Sequence, residues 1–167
     1  MDWKLILWSI SMLWWVYVIW YIIKFGLPST WSSTFYTIKN RYGKHIGYAL
    51  LGMEFIYCLP LIPIVIERSG LMALALVGVA FLATASDYRR DVLSLTVHMV
   101  GAIGSVILAL LLFGILYNLW LFTIPFAILI ILLSTEKIKL KNYTTWIETA
   151  TMLAGHIIIL IKDVLQY

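Results

Sequence analysis

Six apolar runs, separated by charged or turn-forming residues, organise the chain: 4–25, 45–66, 70–86, 92–117, 119–135 and 144–165. A bilayer core about 30 Å thick needs roughly 20 mostly apolar residues per crossing helix. The pattern therefore predicts an all-α, polytopic transmembrane helix bundle of about six helices, forming one domain over residues 1–167. The third and fifth runs are barely long enough to cross.

Composition agrees with the pattern. Hydrophobic residues make up 63%, aromatic residues 15% and charged residues 12% of the chain, and mean hydropathy is +0.97. Soluble domains carry roughly 25% charged residues, so the composition is that of an integral membrane protein. The first run is read as a retained helix and not a signal peptide. It is long, it carries Trp8, Trp14, Trp15 and Trp20, and it offers no small-residue cleavage site before Lys24. The single cysteine, Cys58, lies inside the second run and is expected in the core, with no disulfide framework or cysteine-based zinc motif.

Basic residues are distributed unevenly between the two sides. Lys24, Lys39, Arg41, Lys44, Arg89, Arg90, Lys137, Lys139 and Lys141 fall in the loops after the first, third and fifth runs, whereas only Lys4, Arg68 and Lys162 fall on the other side. The positive-inside rule then puts the odd loops in the cytoplasm and both termini outside, in a multi-pass protein of the cell membrane. The net charge of +4 follows from this topology and calls for no nucleic-acid partner. Membrane lipids are the expected surroundings, with a homo-oligomer or another membrane protein as the further partner to consider.

The longest loop, GLPSTWSSTFYTIKNRYGK from Gly26 to Lys44, has two readings. The main one is an interfacial segment with Trp31, Phe35, Tyr36 and Tyr42 at headgroup depth. The other is a cap over a cytoplasm-facing pocket, with Ser32, Ser33 and Thr34 donating hydrogen bonds to a ligand. At the start of the fourth run, Ser86 and Asp87 are expected N-caps, and Arg89 and Arg90 positive-inside anchors.

Ionisable residues inside the runs are expensive in hydrocarbon and mark candidate chemistry. Glu54, Asp91, His98, Glu148 and His156 stand out. Asp91, Ser94, His98, Gly101 and Ser105 recur at helical spacing and share one face, whose inner part is a small-residue packing surface together with the nearby Gly104. Thr145, Glu148, Thr149, Met152, Gly155 and His156 form a matching stripe on the last helix. Glu54 lies near the midplane with Gly47 and Cys58. The depths predict that Asp91, His98 and Glu148 converge as a catalytic or binding cluster open to the cytoplasm.

A metal centre is a sharper form of the same site. A catalytic zinc takes three His, Glu or Asp ligands and an open water position, which His98, His156 and Glu148 can supply. The Ser94-x-x-x-His98 step is faintly similar to the serine–histidine step of the zinc-dependent hydrolases of the alkaline ceramidase and progestin-receptor superfamily. That family carries a late pair of histidines four apart, where this chain has His156 with Leu160. Over nearly the whole length, GLPSTWSSTFY, HMVGA and TTWIETA resemble small uncharacterised six-helix membrane proteins of Bacteroidota and their phages. This resemblance implies the six-helix fold and the membrane location only.

The sequence contains no Gly-rich phosphate loop, Gly-x-Ser-x-Gly elbow, His-Glu-x-x-His or Cys-x-x-Cys. Three classes of function remain: an acid/histidine site for a ligand, ion or proton; a metal-dependent intramembrane hydrolase acting on a lipid-like substrate; and a structural or assembly subunit of a membrane complex.

Overall fold

The computed structural model describes residues 2–84, 89, 91–135 and 140–165, and among these residues every regular element is helical. The helices are α1 (Trp3–Phe25), α2 (Thr34–Tyr42), α3 (Lys44–Ile66), α4 (Gly70–Thr84), α5 (Val92–Tyr117), α6 (Trp120–Ser134) and α7 (Tyr143–Val164). Four of them, α1, α3, α5 and α7, are long and apolar enough to cross a membrane. Helices α4 and α6 have 15 residues each, about 22 Å at a rise of about 1.5 Å per residue. They are the two runs that are marginal in the sequence. Helix α2 belongs to none of the six runs, because its mean polarity hides it inside the long loop.

Local chemistry sets most of the ends. The Asp2 carboxylate accepts the Lys4 amide at 2.9 Å and starts α1. Helix α5 starts at Val92, capped by Asp91, whose carboxylate accepts the Ser94 amide at 2.8 Å. The expected caps Ser86 and Asp87 lie four or more residues upstream, outside the described residues, as do Arg90, Lys137 and Lys139. Asn118 closes α5 in the left-handed conformation at φ 57°, and Asn142, at φ 56°, precedes α7. The proline pair Pro60 and Pro63 interrupts α3 after Cys58, since proline lacks the amide that the helix ladder needs.

The outer and inner surfaces are reversed relative to a soluble protein. Val16 is 63%, Ile23 81% and Leu121 96% exposed, while Ser11, Glu54, Thr145, His156 and Asp163 are buried. Apolar side chains on the outside at this density belong against hydrocarbon, not water. The core is aromatic where α1, the 26–33 loop and α3 meet: Trp14, Tyr17, Tyr21, Trp31 and Tyr57 pack in tilted and edge-on pairs.

Helices α4 and α5 make the most extensive contact in the bundle. Gly78 of α4 presses on α5, where a Cβ would stand 3.0 Å from the Ser105 Cβ and 3.3 Å from the Gly101 carbonyl oxygen. Gly101 and Ser105 are buried, as a small-residue packing face requires, whereas Gly104 is exposed, with open space where a Cβ would stand. The glycine face of α5 is therefore interior, and it looks toward α4.

Candidate functional site

Helix α7 carries a polar stripe along its whole length, and almost every member is hydrogen-bonded to another part of the chain. At its start, the Asn142 side-chain amide donates to the Leu27 carbonyl at 3.2 Å and the Thr145 hydroxyl donates to the Pro28 carbonyl at 2.7 Å. One turn on, the Trp31 backbone amide donates to Glu148 Oε2 at 2.8 Å, and the Trp31 indole donates to the Thr149 hydroxyl at 2.8 Å. Gly26 lets the chain leave α1 at φ 78° and double back onto this face. The 26–33 loop is thus zipped to α7 at positions 142, 145, 148 and 149, which a 3.6-residue period places on one side.

This geometry corrects the interfacial reading of the loop. Trp31 is 3% and Phe35 1% exposed, so both are core residues; Tyr36 and Tyr42 are half-buried. The hydroxyls proposed for ligand donation are engaged within the chain. Thr34 accepts from the Tyr17 hydroxyl at 2.7 Å and donates to the Trp31 carbonyl at 2.6 Å, Ser33 donates to the Thr30 carbonyl, and Ser32 pairs with Thr30.

Deeper in the bundle, His156 sits in a cage. Its Nδ1 accepts from the Trp15 indole at 3.0 Å, its Nε2 is 2.6 Å from the Ser11 hydroxyl, and its backbone carbonyl accepts from the Trp8 indole at 3.0 Å. The Trp8, Trp15 and Tyr57 rings surround the imidazole at centroid distances of 4.8 to 5.9 Å. The Ser11–His156 distance alone suits a nucleophile and its base, but the donors run the wrong way. An indole N–H can only donate, so Nδ1 holds the lone pair and Nε2 carries the proton. Ser11 donates to the Trp8 carbonyl at 2.6 Å and hence accepts from Nε2–H. The histidine is a donor toward the serine and cannot take its proton. Ser11 also marks the break between the two segments of α1 at Met12, where a serine bonded back to its own helix bends it.

Glu54 on α3 is 4% exposed, and its Oε2 is buried with no hydrogen-bond partner among the described residues. It lies within electrostatic range of Glu148. Among the described residues, no lysine, arginine or histidine pairs with either carboxyl. Glu148 also borders an apolar cavity of about 80 Å³ between α3, α4, α5 and α7, whose walls include Tyr57, Ser105, Phe113 and Gly155.

The described contacts of the expected residues differ. Glu148 faces the loop and Glu54. Asp91 is exposed and caps α5 through the Ser94 amide and hydroxyl. His98 is buried on the α5 face whose Gly101 and Ser105 pack against α4. None of the described hydrogen bonds joins Asp91, His98 and Glu148 to one another. Nor do His98, His156 and Glu148 gather as ligands: among the described residues no three His, Cys, Asp or Glu side chains form a group able to hold a metal ion. The physical reason at His156 is that Trp15 already occupies its lone pair.

A second polar site lies at the opposite end of the bundle. The Arg68 Nε donates to Asp163 Oδ1 at 2.7 Å, the Tyr117 hydroxyl donates to Asp163 Oδ2 at 2.5 Å, and Lys4 pairs with Glu67 at 2.5 Å. A π-helical turn over Leu160–Val164 carries Asp163. Sequence reasoning missed this cluster, although its signal was present: the adjacent Glu67-Arg68 and Lys162-Asp163 pairs fall at two helix ends on the same side. It also missed the Trp8, Ser11 and Trp15 face of α1, whose spacing was legible but whose partner, His156, is far away in sequence.

Scans of protein-family models, curated proteins and solved structures give no match to this chain.

Proposed function

We propose that this chain is a multi-pass membrane protein whose interior carboxyl pair, Glu54 and Glu148, binds a proton or a small cation entering from the side of the basic loops. The observation that carries this reading is Glu54, a buried acid with an unpartnered oxygen, within electrostatic range of a second acid and, among the described residues, with no basic side chain paired to it. A carboxylate in hydrocarbon is costly without a counter-charge. Residues of this kind mark ion paths and proton relays in membrane bundles. His156 does not share this role, because both its nitrogens are satisfied.

Depth and charge support the direction of entry. Glu148 lies five residues into α7 and Glu54 ten residues into α3, about 8 and 15 Å from those helix starts. Both starts belong to the side rich in lysine and arginine, which is cytoplasmic in this reading, with the termini outside. The three remaining basic residues, Lys4, Arg68 and Lys162, line a single polar cleft at the other end.

The test uses the full chain in vesicles with an internal pH dye, given an acid jump with and without sodium. Wild type should load protons or exchange them for sodium. Glu54→Gln should reduce that signal at least tenfold with helicity unchanged, and Glu148→Gln should reduce it while keeping an acceptor for the Trp31 amide. A signal equal in wild type and both variants, or no signal in wild type, overturns the reading.

A further inference from the structure

Between α1 and α3, on the outer surface of the bundle, lies an apolar groove of about 570 Å³. On α1 its wall runs from Leu13 through Val16 and Trp20 to Lys24, and on α3 from Ile56 through Met53 to Ile46. The eleven residue steps from Leu13 to Lys24 cover about 16 Å, at about 1.5 Å per residue. Half of a bilayer core of about 30 Å is nearly the same length. The groove therefore spans one leaflet, from mid-membrane to the basic end of the bundle.

Its mouth is cationic and aromatic. The Lys24 ammonium lies 5.6 Å from the Trp20 ring centre and 5.1 Å from that of Tyr42. A side-chain hydrogen bond from Lys24, joined by the Lys24 charge and by the Arg41 guanidinium, holds the Tyr42 hydroxyl below its ordinary range. Among the described residues no acid lines the groove. Its apolar walls stand open, with Leu13 49%, Val16 63% and Ile46 47% exposed.

We propose that this groove is a binding site for an anionic phospholipid, with one acyl chain along Val16, Trp20, Ile46 and Met53 and the phosphate at Lys24, Arg41 and Tyr42. Length, apolar wall and charge each match a part of that molecule. A zwitterionic lipid fits the wall but brings its own ammonium to the two cations, which offsets the attraction of its phosphate. A soluble phosphate fits the mouth but leaves the wall empty. The site is separate from the Glu54–Glu148 pair and stands or falls without it.

The test is native mass spectrometry of the full chain released from micelles containing equal phosphatidylglycerol and phosphatidylcholine of identical acyl chains. We expect selective retention of phosphatidylglycerol. Each basic residue near a membrane surface is worth about a fivefold preference for anionic lipid, so Lys24→Gln should cut the selectivity by about that factor. Val16→Trp, which fills the groove, should reduce retention of both lipids with helicity and elution volume preserved. If that variant misfolds, shortening the acyl chains provides the same test, with retention falling as the groove empties. Equal retention of the two lipids, selectivity unaffected by Lys24→Gln, or displacement of the lipid by glycerol phosphate alone would overturn the proposal.

Discussion

Replacing His156 with phenylalanine isolates what the caged imidazole contributes. The ring volume and the edge contacts with Trp8, Trp15 and Tyr57 persist, while the bonds to Ser11 and Trp15 disappear. Hydrogen bonds between membrane helices average about 0.6 kcal/mol each and reach about 1.7, so the two together contribute about 1.2 to 3.4 kcal/mol. The lower half of that range is favoured, because Ser11 keeps its bond to the Trp8 carbonyl and half-buried Trp15 can turn its indole outward. His156→Phe should thus cost about 1–2 kcal/mol, whereas His156→Ala, which also empties the cage, should cost about 3–5 kcal/mol. Unfolding in mixed micelles, followed by far-ultraviolet circular dichroism, measures both. A cycle with Ser11→Ala should show a coupling of about 0.6–1.7 kcal/mol. Additive single effects would refute the Ser11–His156 bond. Labelling of Ser11 by a serine-directed phosphonylating reagent would refute the tautomer, because a histidine that donates to Ser11 cannot activate it.

Two further outcomes follow from packing and charge. Gly78→Ala should be nearly neutral, since a gain of about 1 kcal/mol in helix propensity opposes a Cβ placed 3.0 Å from Ser105; Gly78→Leu should cost about 1–3 kcal/mol by overpacking, and equal stability of the two variants in thermal melts would show that α4 and α5 are not held close there. Arg68→Ala should destabilise by about 1–3 kcal/mol, the scale of a bond to a charged group, because it strands Asp163 at 5% exposure. Asp163→Asn should cost less, since the Arg68 side chain is 42% exposed and returns to water; the reverse order in chemical denaturation would overturn the asymmetry.

The apolar runs were legible because a membrane span is a property of local composition. The expected start of the fourth run at 92 coincides with Val92, and the stripe on the last helix was read from spacing alone. Partnership between helices was not legible. Asp91 looked like a site residue because it lies on the His98 face, yet an acid at the N-cap of a helix satisfies the free amides of its first turn, as Asp91 does for Ser94. Trp31 and Phe35 looked interfacial because aromatic residues flank spans. The zipper to Asn142, Thr145 and Glu148 draws the loop inward, and nothing in its own sequence encodes a face presented more than a hundred residues later.

The polar stripe of α7 narrows where chemistry can occur. A buried polar group that is fully bonded holds helices together, and one left unbonded at the same depth has to be neutralised by something else. Along α7 and its neighbours, Thr145, Thr149, His156 and Asp163 have their partners within the chain. The same bonds explain their burial without any ligand. Glu54 has no such account, since its unpartnered oxygen is buried and the acid within its electrostatic range, Glu148, carries the same sign of charge. If Glu54 served packing alone, Glu54→Gln or Glu54→Leu should leave proton or cation uptake unchanged. A stabilised Glu54→Leu that has lost proton or cation uptake would show a residue kept against stability for the sake of function.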